Sequence, residues 1–153
     1  MRFFRMLIAT VSLMLFAGLA YADEPVAGFS ARMADPAFAA RVEALFDGAE
    51  QPDWLPTATE AEPVTVTLGG EPMTVLLACK KHDCGSHQFI VIFDDTLMQG
   101  VLMEGDDTMA HEQLTWLGTT GEQSDIDRRT VLYAAISGSL YNHPETFDYP
   151  APD

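Results

Sequence analysis

From Pro63 onward, apolar side chains fall on alternate positions. Val64, Val66 and Leu68 alternate with threonines, Gly69-Gly70 supplies a turn, and the run from Met73 to Ala78 returns. A period of two puts every second side chain on the same face, so these stretches predict paired strands. Phe89 to Phe93 is apolar without a break, the pattern of a strand buried on both faces and hence central in its sheet. Asp94-Asp95 and Gly105-Asp106-Asp107 punctuate two further strands, Met98 to Glu104 and Glu112 to Leu117. Short strands joined by turn signals predict a five-stranded antiparallel meander and argue against βαβ units.

The period lengthens at both ends of this region. Asp35-Pro36 supplies an N-cap followed by proline at the first helical position. Phe38, Val42, Leu45 and Phe46 then recur at helical spacing up to Gly48. Ser124, with Asp127 three residues on, resembles a capping box. It opens a second helix through Ile126, Val131, Leu132, Ala135, Ile136 and Leu140, which Asn142 and Pro144 stop. Residues 23 to 29 are expected to be loose. Gln51 to Pro63, rich in proline, reads as an irregular connection packed through Trp54 and Leu55. The tail from Glu145 is expected to be ordered only in part. The fold class is therefore α+β, a central antiparallel five-stranded sheet flanked by helices.

The first 22 residues have a different character. Arg2 and Arg5 precede an apolar run from Met6 to Leu19, and Ala20-Tyr21-Ala22 is a cleavage signal. Residues 1–22 thus read as a signal peptide and 23–153 as a single domain, exported to the periplasm and free of the membrane once cleaved. Cleavage leaves 131 of the 153 residues, with six basic against 23 acidic side chains and a formal charge of −17. Such a field excludes nucleic acid as a partner and favours a cationic one. Monomer and homodimer both stay open.

Export changes the reading of the two cysteines. Cys79 and Cys84 enclose Lys80, Lys81, His82 and Asp83 between two strands. In an oxidising compartment a disulfide is favoured. It would close so short a ring that chain entropy contributes only about 2 kcal/mol, so its use is to fix shape. Zinc bound by Cys79, His82, Cys84 and His87 is the alternative, with a spacing poor for a zinc knuckle. A redox dithiol fits less well, since two residues separate the cysteines in that motif.

Elsewhere, Glu104-Gly105-Asp106-Asp107 lacks the calcium-loop pattern, and His111 and His143 read as exposed loop residues. Trp54 and Trp116 read as packing residues. No catalytic signature, cofactor motif or metal site is found, which points to a protein that is not an enzyme.

The segment Cys79-Lys80-Lys81-His82-Asp83-Cys84, set between two apolar strands and followed by Gly85, resembles the signature loop of the Ivy family, bacterial inhibitors of C-type lysozyme. That family's loop reads Cys-Lys-Pro-His-Asp-Cys, and this chain carries Lys81 in place of the proline. The order of elements is similar over most of the mature chain. The resemblance implies a periplasmic, non-enzymatic inhibitor with Cys79 bonded to Cys84 and the loop inserted into the lysozyme cleft. It implies that His82 meets the two catalytic carboxyls, with Lys80 and Asp83 assisting. The cell's own lytic transglycosylases are an alternative target, and a metal-binding or redox protein is the alternative of a different class.

Overall fold

A computed structural model of the chain describes residues 26–106, 111–122 and 124–151; the proposed signal peptide lies outside them, as does the side chain of Ser124. The elements run α1 Phe29–Met33, α2 Pro36–Leu45, β1 Thr59–Glu60, β2 Val64–Leu68, β3 Glu71–Cys79, β4 His87–Phe93, β5 Met98–Gly105, β6 Glu112–Leu117, α3 Ser124–Ile136 and α4 Ser139–Asn142. A 3-10 turn, Leu55–Thr57, precedes β1, and another, Pro144–Phe147, follows α4. All five expected strands are present. With β1 they form a six-stranded antiparallel sheet in the order β1-β3-β4-β5-β6, with β2 also paired to β3.

The unbroken apolar run of β4 divides its side chains between two cores. Phe89, Val91 and Phe93 face α1 and α2, together with Leu76, Ala78 and Leu102. Ile90 and Ile92 face α3 and α4, together with Val75, Val101, Val131 and Leu132. The architecture is three layers, helices over both faces of one sheet. A fully buried side chain of this size contributes about 1.5–3 kcal/mol, so β4, with Phe89 to Ile92 at 0% exposure, is the strand on which both cores depend.

Each helix forms for a local reason. Asp35 accepts a hydrogen bond from Ala37 N at 2.9 Å, Pro36 occupies the first turn, and Phe38, Val42 and Leu45 form the buried stripe. Phe38 meets Phe93 edge-on at 5.1 Å, and Phe29 meets Phe89 at 5.8 Å. Residues 26–28, within the start expected to be loose, carry no helix or strand; α1, which was not expected, begins at Phe29, whose ring supplies an anchor that a five-residue helix can fold around. The single C-terminal helix expected through Leu140 is two helices. Gly138, at φ 78°, breaks the turn between α3 and α4.

The tail is also more ordered than expected. Thr67 N donates to Asp148 Oδ1 at 2.8 Å, and Tyr149 N donates to Thr67 O at 2.6 Å. These bonds occupy the outer edge of β2, whose backbone groups otherwise face solvent. The β1 strand is the other addition, two residues inside the stretch read as irregular.

A polar knot fastens α3 to the sheet. Buried Gln99, on β5, donates to Asp125 Oδ1 at 2.5 Å and accepts from Arg128 Nε at 2.7 Å. Arg128 also donates to Asp125 Oδ1, while the amides of Thr120 and Gly121 donate to Asp125 Oδ2. The Gln99 bond first, then Arg128 and the two amides, hold the Asp125 carboxyl well below its ordinary 3.8 against the opposing effect of burial. A depressed carboxyl stabilises the fold above its unfolded-state value and loses that contribution as pH falls through the folded one. Asp125→Asn should therefore lower the melting temperature clearly at pH 7, and the gap to wild type should narrow on descending below pH 3.8. Thermal melts from pH 7 to pH 2, with exposed Asp127→Asn as the control, check this.

Candidate functional site: a disulfide-closed loop

The β3–β4 hairpin carries the cysteine ring at its tip. Cys79 closes β3 opposite Gln88, and Lys80 N donates to His87 O at 3.1 Å, which continues the pairing one residue into the ring. Cys79 and Cys84 are joined by a disulfide with their Cα atoms 4.9 Å apart. Neither sulfur is then a free thiolate able to ligate a metal, and the described residues hold no cluster of His, Cys, Asp and Glu suited to a metal ion.

Inside the ring the chain reverses in four residues. Asp83 N donates to Lys80 O at 2.9 Å, closing a turn whose central residues are Lys81 and His82. His82 has φ 67° while Lys81 does not enter the positive region, the pattern of a type II turn. Such a turn favours proline at its second position and glycine at its third. This chain places a lysine and a histidine there, both exposed. A side chain other than glycine in that region costs about 1–2 kcal/mol, and strain of this kind concentrates at functional positions.

The base of the ring is fixed from below. Gln88 Nε2 donates to Cys84 O at 2.8 Å, and the amides of Ser86 and His87 donate to Asp83 O at 3.2 and 3.1 Å. Asp83 Oδ2 lies 2.8 Å from His87 Nδ1 and 3.8 Å from Lys80 Nζ. The structure thus brings Lys80, Lys81, His82 and Asp83 together on one protrusion, with Lys81 and His82 outermost. Gln88 is the residue that sequence reading missed, and His87, named there only as a possible zinc ligand, lies at the base of the ring. Their signal was the strand register, which runs through His87 and Gln88, two residues ahead of the strand expected from Phe89.

Charge is distributed unevenly. Lys80 and Lys81 are the chain's two lysines. The arginines among the described residues are engaged within the fold. Arg41 donates to the carbonyls of Asp94 and Leu97, Arg128 to Gln99, and Arg32 and Arg129 lie over the rings of Phe93 and Trp116. The ring is therefore where the two lysines of an acidic protein sit side by side. A cleft of about 540 Å³ beside Arg32, Glu71, Phe93 and Asp94 sits at the other end of the same strands.

The remaining candidates are ordinary. Trp54 is buried in the core, and Trp116 is half-buried under Arg129. Exposed His111 lies 3.0 Å from Asp106, His143 is exposed, and Asp107 is outside the described residues.

A family profile described as inhibitor of vertebrate lysozyme (Ivy) matches residues 37–117, a span that includes the ring. The chain is also 36% identical over 145 residues to the inhibitor of vertebrate lysozyme of Escherichia coli strain K12, covering 93% of this chain and 91% of that protein. The same figures hold for the protein of that name from Escherichia coli O157:H7.

Turn chemistry makes two substitutions informative. Lys81→Pro should stabilise the protein by about 0.4–1 kcal/mol, since proline suits the second position and restricts the unfolded chain. His82→Gly should be more stable than His82→Ala by about 1 kcal/mol. Urea denaturation with the disulfide intact measures both; a marked loss with Lys81→Pro would contradict the turn assignment.

Proposed function

The chain belongs to the inhibitor of vertebrate lysozyme (Ivy) family, a family of lysozyme inhibitors, and from that premise we propose that it is a periplasmic protein that blocks a C-type lysozyme by inserting the Cys79–Cys84 ring into the active-site cleft. His82 is the probe. The observation that carries this reading is the ring's geometry: a covalently closed, base-pinned turn that presents an exposed histidine at its third position.

The chemistry of the target suits this loop. A lysozyme flanks its scissile bond with one protonated and one ionised carboxyl. An imidazole carries two nitrogens at separate positions on a planar ring, so one side chain can meet both groups. Sugar and hydrolytic water are then excluded together. Lys80 and Lys81 bring positive charge to an acidic cleft, while the formal charge of −17 on residues 23–153 draws in a cationic muramidase from a distance.

Affinity depends on what the loop loses in freedom on entry. A flexible loop would surrender backbone entropy for each residue fixed, about 1–2 kcal/mol. The disulfide, the Asp83–Lys80 turn bond and the Gln88–Cys84 bond order the ring beforehand, and preorganisation of this kind raises affinity without new contacts. Export through the signal peptide of residues 1–22 would put the inhibitor where a muramidase threatens the wall. The cell's own lytic transglycosylases, which use a single catalytic acid, would give His82 one partner in place of two.

A turbidity assay with lysozyme and a cell-wall suspension tests the mechanism. Replacing a central contact residue typically costs 2 kcal/mol or more, so His82→Ala should raise the inhibition constant about 30-fold or further, while exposed His143→Ala leaves it unchanged. Undiminished inhibition by His82→Ala would remove the loop-insertion mechanism. Verified reduction of the disulfide should weaken inhibition through the lost ordering. Running a lytic transglycosylase in parallel identifies the preferred target.

A further inference from the structure

His87 lies directly below the ring on the first residue of β4, on the sheet face that carries Phe89. Its side chain is 19% exposed and its Nδ1 is buried. That nitrogen sits 2.8 Å from Asp83 Oδ2, yet off the line that a directed hydrogen bond requires, and it has no other polar partner among the described residues. A contact that is close but misaligned acts through charge, and its strength follows the charge on the imidazole.

Charged side chains approach the imidazole from three elements. Asp83 approaches from the turn, Lys80 from the end of β3, and Glu104 stands directly opposite on β5. Opposed residues of an antiparallel pair share a face. Lys80, His87 and Glu104 therefore form one row across three strands, continued on β6 by uncharged Gln113. Asp106, beyond the end of β5, is held near His111. Two acids and one lysine thus face the His87 ring. Its protonated form places a cation against Asp83 and Glu104, with Lys80 the one like charge beside it, and its neutral form leaves the Asp83 carboxylate with Lys80, at 3.8 Å, as its charged partner.

We propose that His87 is a positioning residue whose protonated ring clamps Asp83, so that the set of the inhibitory turn tightens as pH falls and loosens as pH rises. Asp83 is the last residue of the turn that presents His82, and its carbonyl already accepts from the amides of Ser86 and His87. Fixing its carboxylate as well ties the outer half of the ring to β4. The direction follows from the sign of the charge: the imidazolium is attracted to Asp83 and Glu104, so the clamp is complete while the ring carries its second proton and is released when that proton leaves. Histidine is the side chain whose unperturbed titration falls between pH 5 and 8.

The inhibitory readout rests on the lysozyme-inhibitor reading, and the structural readout does not. The first experiment compares inhibition constants of wild type and His87→Gln at pH 5.5 and pH 8. Taking the ratio at each pH cancels the titration of His82 and of the target's carboxyls. Ion pairs of this exposure contribute up to about 1 kcal/mol. The variant should thus be about fivefold weaker at pH 5.5 and within about twofold of wild type at pH 8.

The second experiment uses the free wild-type protein. Backbone amide relaxation of Lys81, His82 and Asp83 is followed by NMR while the His87 ring resonance reports its own protonation. Ring mobility should rise in step with loss of the His87 proton. This arm needs no variant and stands if His87→Gln fails to fold.

A flat ratio together with ring mobility independent of His87 protonation would overturn the clamp. Absence of inhibition at either pH would overturn the lysozyme reading and leave the clamp to be decided by the relaxation data. A variant equally weak at both pH values would assign His87 a purely steric role, and that too overturns the proposal.

Discussion

The register of β4 is the constraint from which the rest follows. Its side chains are buried in two separate cores, so a slip of one residue would send Phe89, Val91 and Phe93 into the layer built for Ile90 and Ile92. Neither layer could accept the exchange, because α2 presents Phe38 to Phe93 while α3 presents Val131 and Leu132 to the opposite face. That same register decides what happens at the strand's first two residues. It brings Gln88 to Cys79, in reach of the Cys84 carbonyl, and puts His87 opposite Glu104, under Asp83. The core thus positions the ring at a distance, through a pairing that hydrophobic burial makes unambiguous.

Charge is arranged on the same economy of placement. An acidic chain with few cations has little freedom in where it uses them. Arg128 is committed to the Gln99–Asp125 knot that fastens α3, and Arg41 satisfies two carbonyls at the β4–β5 turn. The lysines are left to the ring. Guanidinium is the better group for planar, multiply hydrogen-bonded positions inside a fold, whereas an ammonium on a flexible stem suits an exposed contact with a carboxylate-lined cleft. The division of labour between the two cations follows that difference in chemistry.

Much of this was legible in the chain. Alternating and unbroken apolar runs, with the turn signals between them, located all five strands because these patterns are written in local residues, and Asp35-Pro36 located α2 because a cap is local. The ring was legible for the same reason, as a short covalent motif of fixed composition. What stayed hidden was set by partners far away in sequence. The Thr59–Glu60 strand exists only because β3 offers it an edge, and the tail is ordered only because Thr67 offers Tyr149 and Asp148 its backbone. Gly138 was visible, but whether a glycine splits a helix or rides within it depends on the packing of α4, which no local pattern records. The place of His87 beneath the turn was hidden as well, since a histidine ahead of the expected strand becomes a strand residue only once the hairpin register is known.

The ring combines a strained turn with a rigid base, and the two belong together. His82 sits in a backbone region that disfavours its side chain, so an isolated turn of this sequence would abandon that conformation readily. The disulfide adds little global stability, about 2 kcal/mol by chain entropy, which is nevertheless comparable to the strain of one left-handed residue. The base bonds from Gln88, Ser86 and His87 add to that restraint locally, at the residues just outside the turn. Stability is thus spent where it fixes geometry. The lysine at position 81 leaves φ freer at the turn's second position than a proline would, so in this chain the task of holding the turn shifts from its own backbone to the contacts beneath it.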